Sequence, residues 1–206
     1  MLKFHELGPS PNNVKVRLAL RYKGIPFEAI PVDAVDRSSV RAVSGQDLTP
    51  VIEDRNVIVV DSEAILHYLD ANYPETPRCF PRDREGRKDA DAWKRTLDET
   101  VGRPFLAWFR EILKRNPEAT ERIRSDFRAA YRALESKLDG RPALAESPDD
   151  AVRDLRVAQW ALYPFPSDAL VERVRLFGRF REIFGLDPAE HPAIVRFLEP
   201  WGERMG

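Results

Sequence analysis

Residues 8–20 read GPSPNNVKVRLAL, and Ser10 stands where a short strand pattern hands over to a helix pattern. Pro11 suits the first helical position, because the amide it lacks is one that no intrahelical carbonyl would have used. A hydroxyl placed there has two uses. Its oxygen can accept from a first-turn N–H and cap the helix. Alternatively its hydrogen can be donated to an anion held at the positive end of the helix dipole. Asn12 supplies a second donor, since an amide NH2 can serve an anion much as a hydroxyl does. Asp61-Ser62 opens another helix pattern, where capping is again the plain account. Thr49-Pro50 taken alone reads as an ordinary trans turn. Arg37 and Arg41 read as solvated surface. His5, His67 and His191 lie far apart without ligand spacing, which argues against a metal site. Trp93, Phe105, Trp108 and Phe109 fit either the wall of an apolar pocket or, more often for aromatics at helical spacing, core or subunit interface.

The elements that must position these residues are punctuated by proline and glycine. LKFHEL (2–7) reads as a strand with Leu2 and Phe4 on one face, bounded by Gly8 and Pro9. Over 11–22, Val14, Val16, Leu18, Leu20 and Tyr22 alternate as a strand would. Ser10, Pro11 and the stop at Gly24 favour a helix. PFEAIPVD (26–33) is an edge or irregular strand, since prolines at 26 and 31 cannot donate to a ladder. A short helix or loop follows near 36–43, then a hairpin in PVIEDRNVIVV, then a helix from Asp61 with Ile65, Leu69 and Tyr73 in phase. The order β-α-β-α-β-β-α fits a small mixed sheet with helices on its faces.

PETPRCFPRDREG (74–86) reads as an interdomain linker, with Cys79 incidental within it. Strand signals then stop. A long helix over 84–116 is kinked or split at Gly102 and Pro104, and a stripe from Ile123 to Leu138 predicts a helix ended by Gly140. Ser147-Pro148-Asp149-Asp150 supplies helix-start residues, and two more helices are expected near 168–184 and 189–203. The boundaries are 1–76 for the first domain, 77–83 for the linker and 84–206 for the second.

The 206 residues carry 33 basic and 34 acidic side chains, a net charge of -1 that offers no field for nucleic acid or an anionic membrane. No apolar run suits a signal peptide or a transmembrane span, and a single cysteine excludes an internal disulfide. A cytoplasmic location is expected.

A sheet domain feeding an all-helical domain resembles the glutathione transferase superfamily. Three segments carry the likeness: SPNNVKVRLAL, TPVIED (49–54) and DSEAILHYLDANYP. The resemblance implies an N-terminal thioredoxin-like domain, glutathione as co-substrate and no metal. It implies that Ser10 donates to the glutathione thiolate, with Asn12 close behind, because a thiol near 8.5 must be held ionised to attack. Some relatives use a Thr-Pro-Asn-Gly turn in which the asparagine approaches sulfur. Asn13 stands where redox relatives keep a second cysteine, which rules out thioredoxin-type exchange. Thr49-Pro50 becomes a cis bond presenting backbone to the tripeptide. Asp61 and Ser62 hold its γ-glutamyl ammonium and carboxylate, and Arg37, Arg41 or Gln46 its glycyl carboxylate. The helix of the second domain lacks the family's hydroxyl cap at Ala151-Val152-Arg153-Asp154, so Ser147 or Asp150 is expected to cap it. The implied reaction is attack on a small apolar electrophile by a homodimer. The rivals are a silent binding or regulatory module and a glutathione-dependent reductase or peroxidase.

Overall fold

The computed structural model describes residues 1–8, 10–113, 117–141, 143–145 and 149–205, the side chains of 109, 110, 112, 113 and 117–120 excepted. Pro9, Ser147 and the side chain of Phe109 therefore lie outside the described residues.

Four strands form one sheet in the order β2-β1-β3-β4. They are β1 (Leu2–Glu6), β2 (Phe27–Pro31), β3 (Val51–Asp54) and β4 (Val57–Val60). β1 runs parallel to β2 and antiparallel to β3, with Phe4 paired between Ala29 and Ile52. The β3–β4 hairpin turns through Arg55 and Asn56, both at positive φ. Prolines at 26 and 31 sit on the edge that the expectation placed them on.

Helix α1 (Pro11–Tyr22) connects β1 to β2, and α3 (Ser62–Asn72) follows β4. Val14, Leu18, Ile65 and Leu69 join Leu2, Phe4 and Ile52 in one core. The strand-like alternation in α1 disappears because Ala19 and the stem of Lys15 are buried as well; nearly the whole helix is enclosed. The short α2 (Ser38–Ser44) covers the other face through Val40, which packs with Val32 and Val51. His5, expected opposite the Leu2–Phe4 face, is also buried, and its Nε2 lies 2.7 Å from Glu53 Oε1.

The remaining chain is helical: α4 (Arg84–Leu97), α5 (Arg103–Leu113), α6 (Pro117–Leu138), α7 (Val152–Ala161), α8 (Asp168–Arg173), α9 (Arg175–Phe184) and α10 (Pro192–Arg204). The split expected at Gly102 and Pro104 is a π-helical turn, Asp98–Gly102, between α4 and α5. Proline removes one ladder bond and crowds the carbonyl four residues back, and one wider turn absorbs both effects. The single helix expected over 168–184 is two helices. The chain turns at Val174, and α9 folds back so that a Cβ on Gly178 would lie 2.9 Å from Val171 Cγ1. In a continuous helix those residues are two turns apart. The last helix, expected from 189, starts at Pro192, because the preceding His191 is held in a non-helical conformation.

The stretch read as a linker is clamped. Asp70 on α3 accepts from the backbone N–H of Cys79 and Phe80 and from Lys23 Nζ, each at 2.9 Å. Val152 N–H donates to the Cys79 carbonyl at 2.8 Å. Cys79 is fully buried, and burial pushes its thiol far up. Phe105 and Trp108 belong to an aromatic core with Phe127, Tyr163 and Phe184. Trp93 packs against the same core partly buried. No helix among the described residues is long and apolar enough to cross a membrane.

Candidate functional site

Ser10 is the N-cap residue of α1 with extended dihedrals (φ −76°, ψ 133°), but its side chain makes no cap hydrogen bond. Ser10 instead lines a cavity of about 490 Å3. Asn12 and Ser62 line the same cavity, as do Leu97, Gly102, Leu106 and Trp160 from the helical part. Asn12 Oδ1 accepts from Gln159 Nε2 on α7 at 3.1 Å, an orientation that leaves the amide NH2 as its donor side. Asn13 is buried and donates from Nδ2 to Thr49 Oγ1 at 3.0 Å. That bond ties the start of α1 to the Thr49–Pro50 peptide, which is cis. Asn13 Oδ1 has no hydrogen-bond partner among the described residues.

Asp61 caps α3: its Oδ1 accepts from the N–H of Glu63 and Ala64 at 2.8 and 3.1 Å. Its φ of 74° is a region that a residue with a Cβ enters only at a cost of order 1–3 kcal/mol. The two cap bonds hold it there. Both the capping reading and the ligand reading of Asp61-Ser62 remain compatible, because only one Asp61 oxygen serves the cap.

Glu63 binds two cations. Lys15 Nζ on α1 lies 2.7 Å from Glu63 Oε1, and Arg156 Nη2 on α7 lies 2.8 Å from Oε2. Arg156 also donates from Nη1 to the Ala90 carbonyl at 2.6 Å. Burial alone would raise the Glu63 carboxyl, but the two cations outweigh it and hold the group at about 2. Lys15 is itself pushed below the usual lysine range, burial outweighing the help it receives from Glu63. Among the sequence candidates, Ser10, Asn12, Asp61 and Ser62 meet at this cavity; Thr49 and Pro50 do not line it and are tied to the start of α1 by the Asn13–Thr49 bond. Arg41 pairs with Asp47 at the surface, Gln46 flanks α2 near Ser44, and neither lines the cavity, nor does Arg37.

Lys15, Glu63, Arg156 and Gln159 were not singled out from sequence. A signal existed: Lys15 interrupts the apolar run VKVRLAL, and Arg153, Asp154 and Arg156 interrupt the buried α7. A charge inside an apolar run must find a partner. α7 has Ala151 as its N-cap with no side-chain cap bond. Asp150, expected as a capping alternative, pairs with Arg153, and Asp154 accepts from the N–H of Leu144 and Ala145 at 2.7 and 3.2 Å. Burial raises the Asp154 carboxyl to about 6 even against those two bonds.

Residues 4–77 match the family described as glutathione S-transferase, N-terminal domain. Over 90 residues, 42% of this chain, the sequence is 36% identical to glutathione S-transferase Z1 of Arabidopsis thaliana. It is 29% identical over 91 residues to maleylpyruvate isomerase of Ralstonia sp. The matches span 40% and 42% of those relatives' lengths, so less than half of each is represented. A maleylacetoacetate isomerase from Anaeromyxobacter dehalogenans, solved with glutathione in its active site, superposes with a TM-score of 0.65. That comparison covers 99% of this chain and 94% of the other at 22% identity, which shows a shared fold.

Proposed function

This chain belongs to the glutathione S-transferase superfamily, and from that premise we propose that it is a glutathione-dependent enzyme whose thiolate donor is Ser10. The observation that carries this reading is Ser10 itself: it stands at the N-terminus of α1, its side chain makes no cap bond, and it lines a cavity shared with Ser62. A helix start offers unpaired N–H groups and a positive end, so a hydroxyl there stabilises a neighbouring thiolate without reorganising. Asn12, oriented by Gln159, is the second donor. Thr49 and Pro50 hold the cysteinyl backbone, and Asp61 with Ser62 holds the γ-glutamyl end. The glycyl carboxylate falls to Arg41 or Gln46, once the tripeptide draws Arg41 away from Asp47.

The reaction is attack of the sulfur on an electrophilic carbon of a co-substrate lying between Ser10 and the wall of Leu97, Leu106 and Trp160. The sulfur–carbon bond forms, and either a leaving group departs with its bonding pair or, at an activated double bond, the π pair passes to the neighbouring carbon, which takes up a proton from solvent. The likeness to a maleylpyruvate isomerase supports a second course, in which the same thiolate adds and is then expelled, leaving the substrate isomerised and glutathione unconsumed. A homodimer accompanies this reading, supported by the exposed Val57, Ile58 and Val60 on the edge strand β4. Two measurements test it together: calorimetric titration with glutathione, and turnover of a chloronitrobenzene with glutathione loss followed in parallel. Saturable binding and Ser10-dependent turnover are expected; absence of binding refutes it.

A further inference from the structure

We propose that Lys15 and Arg156 form a carboxylate-receiving pair, so that the ligand of this cavity carries an anionic group there; the inference rests on reading the cavity as the active site. Both side chains are only 4% exposed, and they share a single carboxylate, Glu63, itself 24% exposed. Two buried positive charges against one negative leave an excess that low-dielectric surroundings penalise until an anion arrives. Of the other acids of the lining, Asp98 is paired with Lys94 at 2.7 Å, and Asp61 holds the α3 amides with one oxygen and has no cation against it in an ion pair among the described residues. Arg103 adds a further cation at the mouth.

The geometry is preorganised for an incoming carboxylate. Arg156 is fixed by Glu63 on one side and the Ala90 carbonyl on the other, so its planar fork loses little freedom on binding. Lys15 gives one of its three N–H groups to Glu63. An anion beside it would relieve the burial that depresses its ammonium. Glu63 is thus an internal competitor for the two cations. Two molecules can bring the carboxylate: the γ-glutamyl end of the tripeptide, which the start of α3 would place beside Ser62, or the electrophile. The chemistry at the pair is the same.

The test starts from succinate, titrated without glutathione into the wild type, Lys15→Gln and Glu63→Gln and followed by calorimetry and thermal unfolding. The dissociation constant should rise about tenfold in Lys15→Gln and fall severalfold in Glu63→Gln. Partial unfolding weakens binding in both variants, so opposite signs separate a site from a damaged fold. Unchanged affinity in both variants, or weakening in both, overturns the proposal. The source is then read from two arms. If the tripeptide brings the carboxylate, Lys15→Gln weakens glutathione but not the analogue γ-aminobutyryl-cysteinyl-glycine. If the electrophile brings it, Lys15→Gln raises KM for an α,β-unsaturated acid and not for its methyl ester. Succinate binding with the expected signs and no glutathione binding would refute the enzyme reading while leaving the anion pair standing.

Discussion

Replacing Ser10 by alanine separates a helix cap from a thiolate donor. A working serine N-cap is worth about 1 kcal/mol, and its loss would lower a melting temperature by about 2–4 °C in a chain of this size. The Ser10 side chain makes no cap hydrogen bond, so stability should change by no more than about 0.5 kcal/mol. A hydrogen bond to a charged partner contributes about 1.5–3 kcal/mol. At 1.36 kcal/mol per unit, its loss should raise the pKa of bound glutathione's thiol by about 1–2 units, back toward the free value near 8.5. The assay is thiolate absorbance of the complex against pH, paired with a thermal melt, in wild type, Ser10→Ala and Asn12→Ala. A melting point several degrees lower with an unchanged thiol pKa would make Ser10 a cap and refute the reasoning. A shift in Asn12→Ala alone would pass the role to the amide.

Asp70→Asn should destabilise the chain by about 3–5 kcal/mol in urea unfolding, because it leaves the fully buried Lys23 ammonium without its counter-charge and weakens the clamp on Cys79 and Phe80; a loss below about 1 kcal/mol would show the clamp to be dispensable. Asp154→Asn should behave oppositely. A carboxyl raised to about 6 binds its proton more tightly folded than unfolded, so its contribution is greatest at low pH and is lost as pH rises from about 4 through 6. The variant keeps an acceptor for the Leu144 and Ala145 amides, so by pH 7 it should exceed the wild type by up to about 3 kcal/mol, with the gap closing near pH 4; a wild type that is the more stable at pH 7 sinks the assignment. Gly102→Ala places a Cβ 3.0 Å from Trp160 Cζ2 and must displace that cavity wall. KM for the co-substrate should change severalfold with glutathione affinity unaltered, and equal changes in both would mean that the damage spreads beyond the wall.

Much of the fold was written locally. Pro11, Gly24 and Gly140 mark helix ends through the backbone angles and amides they permit or remove, and the period-two and period-3.6 patterns told the sheet part from the helical part. The position of Ser10 was legible for the same reason, since a cap site is defined by a few neighbours. What it does there was not, because the absence of a cap bond depends on where its hydroxyl points in the folded chain. The break at Val174 was hidden too: no proline or glycine announces it, and it follows from α9 packing back on Val171 through Gly178. The charges at the site were hidden most of all. Lys15 and Glu63 are 48 residues apart, and Glu63 and Arg156 are 93 apart. Sequence pattern alone determined most of the strands and helices, though not the break at Val174, because those choices rest largely on local dihedral and burial preferences. Only the tertiary structure decided which buried charges meet, because ion pairing depends on distance through space, which no local pattern records.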